Sequence, residues 1–317
     1  MQYIFVGTSS FALPILQSLL KAKEHQLLGI ITQPDRCKGR GLKETALPIK
    51  ECGTKNNCQM YQPENINDAS FASMLKILQP DVIILAAYGQ MISTKLLTIP
   101  KHGWINIHPS LLPKYRGASP VACAIMNGET VTGVTLIKLV KKMDAGPIYI
   151  QHPLHINPDE TTPELEKRLS DLGARMLLEL LPQVESGKAE LKEQVTEGVT
   201  FAPCFNKKDG LINWSKTALQ IHNHIRAMQP WPGTYTFFSS GDKKLQINII
   251  KSGLMGNKDN TDKPGTIVEA SKDKLLVNTG NGIIRINELQ PAGKRVMNAR
   301  DFINGYRVKK GNSYGTN

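Results

Sequence analysis

Two polar residues with complementary chemistry stand two positions apart in the stretch NIHPSLLP, residues 106–113. If this stretch begins in a β-strand, alternation places the side chains of Asn106 and His108 on one face. An asparagine amide supplies an uncharged N–H donor for a carbonyl oxygen that gains negative charge under attack. A histidine accepts or gives a proton near neutral pH. Such a pair also occurs as a satisfied structural contact, so the spacing alone leaves both interpretations open.

A third candidate, Asp144, follows another predicted strand in the turn MDAGP, residues 143–147. A carboxylate there can orient an imidazole, stabilise its charge and relay protons, although Asp before Gly is also a common turn residue. The sequence pairs no serine or cysteine nucleophile with a base, and it lacks the GxGxxG and Walker patterns. The three residues therefore indicate acyl-type transfer to a nucleophile that the substrate itself brings.

The elements that must hold these residues alternate along the first half of the chain. Apolar residues at helical spacing follow short β-rich segments, which predicts a mostly parallel sheet with crossover helices. In such sheets, ligands bind beyond the carboxyl ends of the strands. The predicted strands are 3–6, 27–32, 82–86, 105–107 and 131–140, and the predicted helices include 12–22, 69–78 and 162–185. This Rossmann-like catalytic domain is expected to span residues 1–189.

The pattern changes after a charged, weakly periodic segment, which we interpret as a linker over residues 190–207. A short helix near 217–228 is followed by apolar runs separated by turn residues. Short strands at this spacing predict a small barrel. The fold class expected for the chain is α/β, with a Rossmann-like domain followed by a small OB-like β-barrel domain over residues 208–317.

Positive charge is concentrated in that second domain. The chain carries a net charge of +12, and the residues from Asn206 onward hold 18 Lys and Arg against 8 Asp and Glu, a net of +10. This asymmetry favours a polyanion partner, nucleic acid above all, while a solvated basic surface is the simpler alternative.

Other compositional features limit the class of protein. No apolar run approaches the roughly 20 residues that a membrane span needs, and no basic segment precedes the first apolar run. The five cysteines are odd in number and scattered, which indicates structural thiols in a reducing compartment. We therefore expect a cytoplasmic protein without a membrane, without a metal and without an obligate protein partner.

Several short motifs together resemble the folate-dependent formyltransferases, and most closely the branch that acts on methionyl-tRNA. They cover nearly the whole chain, although the tail after Arg307 matches none of them. Besides Asn106, His108 and Asp144, they are GT at 7–8 with FA at 11–12, TQPDR at 32–36, GRG at 39–41, AYG at 87–89, SLLP at 110–113, RG at 116–117, PWPG at 230–233 and LQPAGK at 289–294.

The resemblance implies a reaction and roles for residues. The formyl group of 10-formyltetrahydrofolate would pass to the methionine on initiator tRNA, with Asn106, His108 and Asp144 as the catalytic residues. The folate would bind against Tyr88, Gly89, Ser110, Leu111, Leu112 and Pro113. The acceptor would be bound by Arg40 and Lys43 in a basic glycine-rich loop, with Phe11 a candidate for the methionine pocket. An isolated loop of this kind would be taken as solvated, and an aromatic residue that opens a helix is as often part of the core.

Two alternatives stay open at this point. A sugar-nucleotide formyltransferase would share the three catalytic residues, but it does not require the basic loop or the basic second domain. A tRNA-binding protein with an inactive first domain would explain the charge but not the intact catalytic residues. A purine-pathway transformylase or a folate hydrolase would leave the basic barrel unexplained.

Overall fold

Short strands alternate with helices through the first two thirds of the chain. The computed structural model describes residues 1–35, 37–38, 43–44, 47–240, 243–255 and 262–315. The strands as far as residue 203 are β1 (Gln2–Gly7), β2 (Gln26–Ile31), β3 (Cys37–Lys38), β4 (Lys43–Glu44), β5 (Met60–Tyr61), β6 (Val82–Ala86), β7 (Trp104–His108), β8 (Arg116–Gly117), β9 (Val131–Lys138), β10 (Ile148–His155) and β11 (Phe201–Ala202). The helices are α1 (Ala12–Lys21), α2 (Pro48–Lys55), α3 (Ala69–Leu78), α4 (Thr94–Leu97), α5 (Pro120–Met126) and α6 (Thr162–Glu185).

Seven of these strands form one sheet in the order β10-β9-β7-β6-β1-β2-β5. Strands β5, β2, β1, β6 and β7 are parallel, whereas β9 runs antiparallel to β7 and β10 antiparallel to β9. The predicted mostly parallel, Rossmann-like sheet is confirmed. The parallel strands share one carboxyl edge, where β7 ends at His108.

The local sequence explains why these elements form. All five residues of β6 and all five of β7 are buried, as expected of central parallel strands that are covered on both faces. Helix α1 buries Ala12, Ile15, Leu16 and Leu19, a spacing of three and four that makes one apolar stripe.

The remainder of the chain combines an antiparallel sheet with short helices. Its elements are a 3₁₀ helix (Lys207–Gly210), α7 (Ala218–Ala227), β12 (Thr234–Ser240), β13 (Lys243–Met255), β14 (Ile267–Ser271), β15 (Lys274–Asn278), β16 (Ile283–Pro291), β17 (Met297–Asn298), α8 (Ala299–Tyr306) and β18 (Ser313–Gly315). The strand order is β14-β15-β16-β13-β12-β18, with β17 beside β16.

The two ends of this sheet meet. Thr266 forms an antiparallel bridge with Ser313, and the amide of Tyr314 donates to the carbonyl of Gly265 at 2.8 Å. The sheet therefore curls into a small barrel, as predicted. Its core contains Trp214 stacked on Tyr314, with ring centroids 5.5 Å apart.

By compactness the chain divides into two units. The first comprises Met1–Pro120, Val131–His155 and Glu166–Pro203, and the second comprises Val121–Thr130, Ile156–Leu165 and Cys204–Asn317. Residues 190–203 of the predicted linker thus contribute to the first unit, and the predicted boundaries stay a prediction. Within the described part of the chain, no helix is long and apolar enough to cross a membrane.

A buried histidine of the second unit, His222, is expected to make the stability depend on pH. His222 of α7 has Nδ1 3.0 Å from Ser252 Oγ and Nε2 3.2 Å from Asp159 Oδ1. Burial lowers the pKa of His222 below its ordinary 6.5, and Arg226 lowers it further. Asp159 acts in the opposite direction, but its side chain is 82% exposed, so solvent weakens its effect.

Because the pKa of His222 is lower in the folded protein, the folded state binds fewer protons than the unfolded chain below pH 6.5. The contribution of His222 to the free energy of unfolding is fully present above pH 6.5 and is lost as the pH falls through the lower pKa of the folded state. We expect the thermal midpoint to drop between about pH 7.5 and about pH 5.5, and to drop less in His222→Gln. The control His152→Gln, at an exposed position, should keep the full drop. An equal drop in His222→Gln and in the wild type would contradict this explanation.

Candidate active site

Strand β7 presents Asn106 and His108 on one face at its carboxyl end. In the register, Asn106 lies beside Leu85 of β6 and Ile137 of β9, and His108 lies beside Thr135 of β9. Both side chains are buried. The predicted same-face arrangement therefore results from strand alternation within a covered sheet.

Asp144 reaches this pair from the turn between β9 and β10. Its Oδ1 accepts a hydrogen bond from Asn106 Nδ2 at 3.3 Å, and its Oδ2 lies 3.7 Å from His108 Nδ1. The residue has a left-handed backbone, with φ of 47°. A side chain at Gly146 in the same turn would place Cβ 1.8 Å from the carbonyl oxygen of Lys138, so the turn requires glycine there. The structure thus brings the three predicted catalytic residues together.

The hydrogen bond on the far side of the His108 ring identifies its basic atom. Nε2 lies 3.0 Å from the carbonyl oxygen of Tyr115. A carbonyl only accepts, so Nε2 must carry the proton. In the neutral ring the free lone pair is then on Nδ1, the atom that faces Asp144. A proton taken up at Nδ1 would convert this contact into an ion pair.

Gly117 completes the surroundings of the carboxylate. Its backbone N–H donates to Asp144 Oδ2 at 2.9 Å. The glycine has φ of 125°, and an added Cβ would lie 2.4 Å from the carbonyl oxygen of Ala202. Both features exclude a side chain at this position.

We expect Gly117→Ala to destabilise the protein by about 1–3 kcal/mol. It should also lower turnover by up to about 10²-fold, because the N–H that binds Asp144 is displaced. The matched control is Gly187→Ala, at a glycine with φ of 69° that has open space around its Cβ position. The control should lose some stability and keep its turnover. Full turnover in folded Gly117→Ala would show that this N–H is dispensable.

A hydrogen-bond network orders the loop that follows β7. Thr135 Oγ1 donates to the carbonyl of Ser110 at 2.6 Å and accepts from the amide of Leu112 at 3.2 Å. Gln151 Nε2 donates to that same Oγ1 and to the carbonyl of Leu112, at 2.8 and 2.9 Å. The backbone from Ser110 to Pro113 is therefore held in place by β9 and β10.

The other part of the predicted folate site lies at the end of β6. Ala87 has φ of 47°, and its carbonyl accepts the amide of Thr8 at 3.2 Å. The Tyr88 side chain is buried and Gly89 is exposed. Burial raises the pKa of Tyr88 to about 12, so the phenol stays protonated. Since β6 adjoins β7 in the sheet, both predicted folate segments lie at one edge.

Of the residues predicted to bind the acceptor, the structure describes Phe11 fully and Lys43 in part. Phe11 precedes α1, is only 4% exposed, and its carbonyl accepts a hydrogen bond from Ser170 Oγ, as expected of a core residue. Arg40 lies outside the residues that the structure describes, and Lys43 is described only through its backbone in β4.

Four side chains that hydrogen-bond the loops of this site, or one another, had no predicted role: Arg116, Thr135, Gln151 and Gln194. Arg116 belongs to the motif RG at 116–117, which by itself indicates no role for the side chain. Thr135 is the register partner of His108, which a pairing of β7 with β9 would have revealed. The signal for the other two is absent locally, because Gln151 lies on an irregular edge strand and Gln194 in the predicted linker. Among the described residues, no group of three or more His, Cys, Asp or Glu side chains is arranged to hold a metal ion.

Comparisons with known proteins agree with this geometry. The family model described as formyl transferase matches residues 1–181, and that of the formyl transferase C-terminal domain matches residues 205–307. The chain is 40% identical to the methionyl-tRNA formyltransferase of Pelotomaculum thermopropionicum, over 98% of this chain and 97% of that protein. It is also 40% identical to the methionyl-tRNA formyltransferase of Thermotoga neapolitana, with the same coverage. The fold resembles an N-formyltransferase from Helicobacter canadensis in complex with folinic acid and dTDP-3-aminofucose, with a TM-score of 0.65 and 21% identity over 90% of this chain and 98% of that one.

Proposed function

This chain belongs to the formyl transferase family, and from that premise we propose that it transfers the formyl group of 10-formyltetrahydrofolate to the methionine α-amine of methionyl-initiator tRNA. The observation that carries the proposal is the 40% identity, over nearly the full length, to relatives that are named for this acceptor. The contact of Asn106, His108 and Asp144 at the carboxyl edge of the sheet supports it.

The reaction forms one bond and breaks another. The α-amine nitrogen bonds to the formyl carbon, and the bond from that carbon to the folate nitrogen breaks. A proton leaves the amine, and a proton is taken up by the folate nitrogen. The protein must therefore stabilise negative charge on the formyl oxygen and move one proton.

Asn106 is proposed to stabilise that charge. Its amide nitrogen carries two hydrogens, one of which is directed at Asp144 Oδ1. The second can donate to the formyl oxygen as charge develops there. Because the side chain is already held by Asp144 and by β7, little reorganisation is needed during the reaction.

His108 and Asp144 are proposed to move the proton. His108 Nδ1 would accept it from the attacking amine, and the carboxylate 3.7 Å away would stabilise the imidazolium. Asp144 would also guide the proton toward the departing folate nitrogen. The hydrogen bond from the Gly117 amide holds the Asp144 carboxylate in position for this role.

The folate donor is proposed to bind along the segment Ser110–Pro113, at Tyr88 and Gly89, and beside the Asp144 turn. A neighbour of the same fold was solved in complex with folinic acid, which supports a folate site in this architecture. Leu111 is proposed as an apolar contact, since its backbone lies in the loop that Thr135 and Gln151 hold.

The acceptor is proposed to be bound by its phosphates. The residues from Asn206 onward carry a net charge of +10, which suits a polyanion. Arg40 and Lys43 are proposed to contact the acceptor end. Phe11, which is only 4% exposed, is proposed to border the methionine pocket from within the core. We propose that the protein acts in the cytoplasm, where initiator tRNA is charged and used, and that it needs no obligate protein partner.

The test supplies purified protein with 10-formyltetrahydrofolate and either methionyl-initiator tRNA or an amino-sugar nucleotide. Formyl transfer to the aminoacyl-tRNA alone is the expected result. Transfer to the sugar nucleotide would keep the chemistry and overturn the acceptor. Transfer to neither, with tRNA still bound, would indicate a binding protein without activity.

A further inference from the structure

The segment from Lys192 to Ala202 contacts two loops near the three catalytic residues. One is the turn that carries Asp144, and the other contains Arg116 and Gly117. The first residue of the segment bridges Ile148, with N–H to carbonyl distances of 2.7 and 2.9 Å, next to the turn that carries Asp144. Its last residues form β11, which pairs with β8, and the carbonyl of Thr200 just before β11 accepts a hydrogen bond from the amide of Arg116 at 2.9 Å. Between these anchors lies one polar side chain that contacts both loops, that of Gln194.

The amide of Gln194 uses its donors and its acceptor at once. Nε2 donates to the carbonyl of Asp144 at 2.8 Å and to the carbonyl of Gly146 at 2.7 Å. Oε1 accepts from Arg116 Nε at 3.2 Å and from Arg116 Nη2 at 2.6 Å. The side chain thus joins the backbone of the Asp144 turn to the residue that precedes Gly117.

These contacts close a ring around the carboxylate. Asp144 Oδ2 accepts from the Gly117 amide, Arg116 adjoins Gly117, and Gln194 returns from Arg116 to the Asp144 carbonyl. Because Asp144 has a left-handed backbone, its carbonyl needs a fixed partner to keep the carboxylate directed at Asn106 and His108. A change of about 1 Å in such a position can cost about 10²-fold in rate.

We propose that Gln194 is a positioning residue for the reaction, which fixes the Asp144 carboxylate relative to Asn106 and His108 through two backbone carbonyls. The inference rests on the proposed function, since it concerns the rate of formyl transfer. It assigns to a residue of the predicted linker a part in catalysis that acts only through Asp144.

Gln194→Ala should lower kcat by about 10–100-fold and change KM for either substrate by little, because the Gln194 amide hydrogen-bonds Arg116 and two backbone carbonyls and is not itself proposed to contact a substrate. Gln194→Glu is the sharper variant. It keeps an oxygen for Arg116 and removes both donors, so it should lower kcat as much as Gln194→Ala. Wild-type kcat in Gln194→Glu would overturn the proposal, since the bond to Arg116 alone would then suffice. The control Val195→Ala, at a neighbouring side chain that is 64% exposed, should match the wild type.

A double-mutant cycle separates positioning from general stability. If Gln194 acts through Asp144, Gln194→Ala should lower kcat only a few-fold further in an Asp144→Asn background. Full additivity of the two changes would overturn the proposal. A wild-type protein that fails to formylate methionyl-tRNA would refute the proposed function instead. A wild-type protein that succeeds, together with Gln194→Ala that matches Val195→Ala, would refute only this inference.

Discussion

His108→Ala is expected to lower kcat for formyl transfer by about 10²–10⁴-fold, the range for loss of a general acid or base. The reason is the tautomer that the structure requires. With Nε2 donating to the carbonyl of Tyr115, Nδ1 is the free base beside Asp144, and alanine provides no such atom. The measurement is steady-state transfer to methionyl-initiator tRNA, with circular dichroism to establish that the variant is folded.

A second variant separates proton transfer from the contact with Tyr115. His108→Gln keeps an amide that can donate to that carbonyl but has no basic nitrogen, so its kcat should fall as far as that of the alanine variant. His102→Ala, in the turn before β7, is the control and should leave kcat unchanged. A folded His108→Gln protein with kcat within about tenfold of the wild type would rule out proton transfer at Nδ1.

Asn106→Ala is expected to lower kcat by about 10²–10³-fold, as loss of one oxyanion donor does elsewhere. The KM for the folate donor should change little, because the interaction forms mainly in the transition state. Asn106 also donates to Asp144 Oδ1 at 3.3 Å, so the alanine variant loses some order in the carboxylate as well. Single-turnover transfer measures the chemical step directly.

Asn106→Asp separates the loss of the N–H donor from a change in side-chain size. The aspartate has the same size but no N–H, and it places a second carboxylate next to Asp144, so its rate should be at least as low. The control Asn56→Ala, at an exposed side chain that donates to the carbonyl of Cys52, should leave kcat unchanged. A rise in KM with unchanged kcat would instead indicate that Asn106 binds the ground state and the transition state equally.

Much of the framework follows from local patterns. The predicted strands 3–6 and 82–86 lie within β1 and β6, because fully buried parallel strands have continuous apolar runs. The predicted strand 105–107 lies within β7, where Ile105 and Ile107 flank the buried Asn106. The period of two within β7 by itself predicts that Asn106 and His108 lie on one face. In both cases the signal comes from residues that are adjacent or nearly adjacent in the chain.

Strand β10 was not predicted, for a physical reason. It lies at the edge of the sheet, and its residues are only partly buried or exposed. Its sequence contains Pro153, which edge strands tolerate, and it lacks an apolar alternation. Unless β10 is known to lie beside β9, the hydrogen bonds from Gln151 of β10 to Thr135 and to the carbonyl of Leu112 cannot be inferred.

The contacts that complete the site and the barrel join distant parts of the chain. Asp144 is 38 residues from Asn106 and 50 residues from Gln194, and β18, which closes the barrel, lies in the tail that matched no motif. Periodicity reports which face of a segment is buried, and it carries no information about which distant turn packs against that face. That choice depends on the backbone hydrogen bonds and close packing of the whole fold, including the glycines at 117 and 146 that allow loops to approach. Residue types and spacing therefore predicted the chemistry, whereas the position of the carboxylate and of the residues that hold it was decided by tertiary packing.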